Sequence, residues 1–164
     1  MPGTVSPIPQ GYHSITSALT CKNAEKAIDF YKQAFGATEI MRMAGPGGSI
    51  GHAELRIGDS VIFVSDEFPG MSAAPVSGAL PASYLFLYTA DVDATFERAL
   101  AAGATESMPV TNMFWGDRYG KVTDPFGHTW GVATHVEDVA PAEMERRAAE
   151  WQANMAKAAA AGQS

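Results

Sequence analysis

The chain has 164 residues, 46% of them hydrophobic and 18% charged, with a formal net charge of −7. That is ordinary material for one globular domain, long enough to bury roughly 70% of the surface its unfolded chain exposes. With 11 Lys and Arg against 18 Asp and Glu and no cationic run, no nucleic-acid or anionic membrane surface is expected, because both need clustered cations.

Residues 1–11 are rich in Pro, Gly and Ser and lack the basic and apolar regions of a signal peptide. They read as a flexible N-terminal arm. An apolar strand over 15–21 follows and ends at Cys21, the only cysteine. One cysteine forms no intrachain disulfide, and a cytoplasmic protein is expected. Nothing in the chain approaches the ~20 apolar residues of a membrane helix.

The segment 23–36 opens on Asn23, a capping residue, and stops at Gly36. Between them Ala24, Ala27, Ile28, Tyr31 and Phe35 fall on one stripe, which predicts an amphipathic helix. Strands are expected over 38–43, 50–57 and 61–65, separated by Gly-Pro-Gly-Gly at 45–48 and Gly58-Asp59. About 68 residues after the first helix the plan repeats: a strand over 84–89, then a helix over 91–103 with Val92, Phe96, Ala99 and Leu100 on its stripe. Strands over 105–111, 115–123 and 128–135 complete it, the last two joined by Asp124-Pro125-Phe126-Gly127. In that turn an Asp124 side chain is placed to accept turn amides, and His128 to support the hairpin.

The order is therefore βαβββ twice, an α+β fold in which two modules form a curved mixed sheet with a central cleft. Between them, 66–82 has no regular pattern, and a connection this long serves as a linker or as a lid. After 139 a separate C-terminal helix is expected over 141–160, with Pro141 in its first turn and Met144, Ala148, Trp151 and Met155 on one face. That face reads as a docking surface, onto its own body or a second subunit.

The run from Phe114 to His135, with Trp115-Gly-Asp-Arg-Tyr-Gly120 and Asp124-Pro-Phe-Gly-His-Thr-Trp130, resembles the PhnB-like branch of the glyoxalase/bleomycin-resistance/dioxygenase (vicinal oxygen chelate) superfamily. His52-Ala-Glu-Leu-Arg-Ile-Gly-Asp59, Ser65-Asp-Glu67 and Pro141-Ala-Glu-Met-Glu-Arg-Arg147 are similar to the same branch. The resemblance implies one such domain over 12–139, with module one at 12–66, the linker at 67–82 and module two at 83–139, followed by helix and tail at 140–164. It also implies a homodimer, commonly with modules or strands exchanged. The free arm, the long connection and the C-terminal helix offer material for that.

Enzymes of the superfamily chelate vicinal substrate oxygens with a divalent metal, held by residues on the first and fourth strands of each module. Carried over through the helix starts and glycine turns, those positions fall on Thr16, Phe63, Tyr84 or Leu85, and Gly131. Phe63, Leu85 and Gly131 supply no side-chain ligand, and Thr16 and Tyr84 are poor ones for zinc or nickel. The expectation is a metal-independent, cofactor-free protein that binds a small molecule, a metabolite or a drug. Its cleft would be lined by Phe63, Leu85, Leu87, Phe114, Trp115 and Tyr119, with Thr16, Arg118 and His135 as polar contacts. For Asp117 and Arg118, an ion pair bracing the hairpin competes with ligand contact. The alternative is a lyase, isomerase or dioxygenase with a divalent metal at a shifted site made by His52, Glu54 and His135. His52 and Glu54 share a strand face by alternation. No glycine-rich loop follows the first strand, which leaves a methyltransferase reading without support.

Overall fold

The structure is a computed structural model and describes residues 5–161; the first four residues of the expected arm and the last three of the tail lie outside it. The elements run β1 (Ser17–Cys21), α1 (Ala24–Phe35), β2 (Thr38–Ala44), β3 (Ile50–Ile57), β4 (Ser60–Asp66), β5 (Leu85–Tyr88), α2 (Val92–Ala101), β6 (Thr105–Asn112), β7 (Asp117–Thr123), β8 (Thr129–His135) and α3 (Pro141–Ala161). This is βαβββ twice plus a C-terminal helix. None of the described helices is long and apolar enough to cross a membrane.

Both module helices start at a side-chain cap. The Asn23 carboxamide accepts from the Lys26 amide and the Asp91 carboxylate from the Ala94 amide, each taking up an orphan donor of the first turn. Gly36 ends α1 with φ of 66°, a left-handed conformation that glycine adopts without a Cβ penalty.

The strands form two four-stranded sheets, ordered β1-β4-β3-β2 and β5-β8-β7-β6. In each the outer pair, β1 with β4 and β5 with β8, is parallel and the rest antiparallel. The single joined sheet expected from the sequence is thus two sheets, with no strand pairing between them among the described residues.

What joins the modules is a shared core under the helices. Leu19, Ile28, Leu55 and Val64 of the first module and Val92, Phe96, Val122 and Val132 of the second belong to one buried cluster. Phe35 and Tyr31 of α1 pack on Trp130 of β8, with ring centroids 4.6 and 5.4 Å apart. Beneath them Asp124, 3% exposed, accepts from the Tyr31 hydroxyl (2.8 Å), the Trp130 indole (3.0 Å) and the Phe126 and His128 amides (both 2.9 Å). The expected turn role of Asp124 therefore extends across the module boundary. Burial pushes the Cys21 thiol beside it up to about 12, which leaves it a protonated core residue and not a nucleophile.

Alternation along the strands turns one face of each sheet to this core and the other outward. The outward faces stay accessible: Met43 is 53% exposed in the first sheet and Tyr88 61% in the second. Helix α3 has no buried residue. It returns to the body through Trp151, whose ring lies 5.6 Å from Phe114, and through the Arg147–Glu137 ion pair at 2.8 Å. Met155 and the turns beyond stand clear of the chain.

Candidate functional site

The outward face of the second sheet carries the densest chemistry in the molecule. The register pairs Phe86 with Gly131, Tyr88 and Tyr119 with Ala133, and Asp117 with His135. Phe86 and Tyr119 stack with centroids 5.3 Å apart and planes 4° from parallel. Tyr88 lies 5.0 Å from Phe86 and Trp115 6.0 Å from Tyr119, tilted by 48° and 58°, so they flank the stacked pair at either side. Lys121 sits 4.5 Å over the Tyr84 ring. Burial, and then the neighbouring Tyr84, push the Tyr119 hydroxyl well above its ordinary range, so it stays protonated.

Glycine at 131 is what allows this platform. A Cβ there would stand 2.8 Å from Tyr119 Cε2 and 3.2 Å from Phe86 Cδ2, inside contact distance. The rings occupy the space that a side chain at position 131 would need.

At the rim of the platform Asp117, 2% exposed, accepts three hydrogen bonds: from His135 Nδ1 at 2.8 Å, Tyr88 at 3.0 Å and the Trp115 indole at 2.9 Å. Burial works to raise its carboxyl, but these three donors outweigh it and hold the group below its ordinary value. The other ring nitrogen of His135, Nε2, meets the fully exposed Asp138 at 3.0 Å. Bonds to Asp138 and then Asp117 raise the imidazole above its ordinary value.

The outward face of the first sheet carries a smaller cluster. Phe63 is paired with Glu54, and the His52 ring packs edge-on against it at 4.8 Å. Glu54 accepts from the Tyr12 hydroxyl and from His52 Nε2, the latter at 3.1 Å, and those bonds lower its carboxyl. Thr16 precedes β1 and by alternation shares the Ala18 face beside Phe63.

The residues expected to line one site are thus divided. Trp115, Tyr119 and His135 meet on the second face, with Phe114 packed on Trp115 at 5.1 Å, while Phe63 and Thr16 lie on the first. Leu85 and Leu87, paired with Trp130 and Val132, turn toward the core side of β5 while Tyr84, Phe86 and Tyr88 take the outward positions, and both leucines line the groove at the sheet edges together with Phe35 and Trp130. Arg118, expected as a ligand contact, is placed elsewhere. It is paired with Thr134 on the helix side, where its guanidinium grips Asp93 of α2 at 2.6 and 2.7 Å and Asn112 at 3.2 Å. It braces the hairpin against α2.

The proposed metal ligands His52 and Glu54 sit on a different sheet from His135. Among the described residues no group of three His, Cys, Asp or Glu is placed to hold a metal ion. Phe63 and Gly131 offer no donor atom, so within one chain the residues do not fit the superfamily's divalent metal.

Sequence reasoning missed Phe86, Tyr88 and the buried role of Asp117. Aromatic and aliphatic residues alternate over 84–88, but both sets are apolar, so the alternation separates two faces without marking which looks outward. Tyr84 to Tyr88, leucines included, line a groove of about 800 Å³ together with Ile15, Phe35, Val61 and Trp130. That is the size range of small-molecule sites.

Two βαβββ modules, each a four-stranded sheet with a parallel pair at one edge, define a glyoxalase-type fold. The chain belongs to the glyoxalase/bleomycin resistance protein/dioxygenase superfamily, whose family model matches residues 12–132. It is 43% identical over 131 residues to an uncharacterized protein of Mycobacterium tuberculosis, covering 77% of this chain and 76% of that one. An X-ray structure of an Arabidopsis thaliana gene product is similar at 33% identity and a TM-score of 0.59, covering 74% of this chain and 98% of that one. A PhnB protein from Bacillus cereus, at 19% identity and a TM-score of 0.58 over 74% of this chain and 99% of that one, shares the fold.

Proposed function

We propose that this protein binds a flat small molecule, a metabolite or a drug, without a metal, and that the ligand rests on the aromatic platform of the second module. Support comes from Gly131. At a position where the superfamily's enzymes place a metal ligand, this chain has no side chain, and the Phe86–Tyr119 stack fills the space instead. A π-face accessible at Phe86 and Tyr88, rimmed by His135 and Lys121, suits a planar ligand with polar edges.

The platform is open on one side, and a second copy of the chain closes it. The accessible first-sheet face with Met41, Met43 and Phe63 offers an apolar cover, and α3 adds Trp151 and Met155. Pairing across a two-fold axis is the commonest closed assembly. The protein works in this way in the cytoplasm, where the free Cys21 thiol is at home.

A thermal-shift screen against planar metabolites and antibiotics, with and without divalent metals, tests the binding reading. A ligand present at 100 times its Kd adds about 2.7 kcal/mol of apparent stability. Stabilisation by a planar compound in the presence of chelator is expected; stabilisation by metals alone would overturn the reading. Light scattering at micromolar concentration is expected to give twice the 17.3 kDa chain mass. A mass near that of one chain would remove the second copy from the account.

A further inference from the structure

We infer that the Asp117–His135 pair is the polar anchor of the aromatic platform, built to take a carboxylate or similar acidic oxygen of a planar ligand in the place that Asp138 fills. This inference rests on the platform being the ligand site and adds the chemical class of what it takes.

Three observations carry it. First, His135 is not a loose surface side chain. Its Nδ1 is bonded at 2.8 Å to a carboxylate that is 2% exposed and itself fixed by Tyr88 and Trp115 from two other places in the module. A buried acceptor with three donors sets the ring's orientation and leaves Nε2 as the working atom. Second, Nε2 already meets a carboxylate oxygen, Asp138 Oδ1 at 3.0 Å. Asp138 is fully exposed and in the irregular segment after β8, so its hold is weak and a ligand displaces it with little loss. Third, His135 and Ala133 project on the face where Phe86 and Tyr119 stack, so a planar acid lying on the rings reaches Nε2 with its edge. A charge-assisted hydrogen bond at such a rim is about twice as strong as a neutral one.

The charged and titratable groups around the ring are Asp117 of β7, Tyr88 of β5 behind it, and Asp138 and Glu137 after β8, the last held by Arg147 of α3. The hydrogen bonds that raise the Tyr88 hydroxyl and lower the Asp117 and Glu137 carboxyls hold those three at fixed charge near neutrality. Affinity for an ionised acid is therefore full while His135 is protonated and is lost as the pH rises through its raised value.

The probes are 2-naphthoate and its uncharged analogue 2-naphthamide, compared by calorimetry on the full chain at pH 6 and pH 8.5. Naphthoate is expected to bind about tenfold more tightly than the amide at pH 6, the effect of one charge-assisted bond, and to lose that advantage at pH 8.5. His135→Gln is expected to equalise the two probes. Asp138→Asn, at an exposed position that leaves the fold intact, is expected to tighten naphthoate several-fold by removing the competing carboxylate. Equal binding of both probes to the wild-type protein, or weaker naphthoate binding in Asp138→Asn, overturns the anchor while leaving the platform as a site. Absence of binding by either probe overturns the platform reading itself, and the anchor with it.

Discussion

Replacing Asp124 by alanine is expected to destabilise the fold by about 3–5 kcal/mol, measured by urea unfolding. The reason is the number of donors that lose their acceptor at once. Tyr31, Trp130 and the Phe126 and His128 amides all bond to this one carboxylate, which is 3% exposed. Against a total stability of about 5–15 kcal/mol, that loss removes a large share of the margin. The damage falls on the junction between modules, because Tyr31 belongs to α1 and Trp130 to β8. Asp124→Asn keeps one carbonyl oxygen and is expected to recover part of the loss. A change below 1 kcal/mol for the alanine variant would mean that the aromatic packing of Tyr31, Phe35 and Trp130 holds the modules without the carboxylate.

A Gly131→Ala change is expected to have a smaller effect on stability and a larger one on binding. The added Cβ would stand 2.8 Å from Tyr119 Cε2 and 3.1 Å from its hydroxyl oxygen. Tyr119 is 4% exposed and has little room to retreat, so the stack with Phe86 must open. Overpacking of this kind costs about 1–3 kcal/mol. The near-ultraviolet circular dichroism of the stacked rings is expected to change. The apparent affinity for any planar ligand found in the screen is expected to fall by at least about tenfold, since the Phe86–Tyr119 stack is forced open. An unchanged aromatic signal together with unchanged ligand stabilisation would place the binding site elsewhere.

The module plan was legible because it is written in local chemistry. Asn23 and Gly36 bracket α1, Asp91 caps α2, and Asp124-Pro125-Phe126-Gly127 turns β7 into β8, each by its own side chain or backbone preference. The faces of β5 were not legible, because Tyr84-Leu-Phe-Leu-Tyr88 is apolar on both sides. One residue of slip exchanges Leu85 and Leu87 for Phe86 and Tyr88, and only the pairing with Trp130 and Gly131 decides between them. Arg118 was misplaced for a similar reason. Its neighbours Asp117 and Tyr119 face the platform, and alternation sends Arg118 to Asp93 on the helix side. Asp117 itself draws its donors from β5, β8 and the segment before β7, so no window of sequence contains the cluster. The separation into two sheets follows from which strands pair across the fold, which is a tertiary matter and not a property of any one strand.

Whether the platform works without a metal is read from the metal content of the purified chain, prepared without a His-tag. Elemental analysis is expected to find zinc, nickel, manganese and iron each far below one atom per chain, with planar-ligand stabilisation unaffected by chelator. One tightly held atom per chain, lost on replacing His52 and His135 by alanine in a protein that still folds, would contradict the account and establish the shifted metal site in its place.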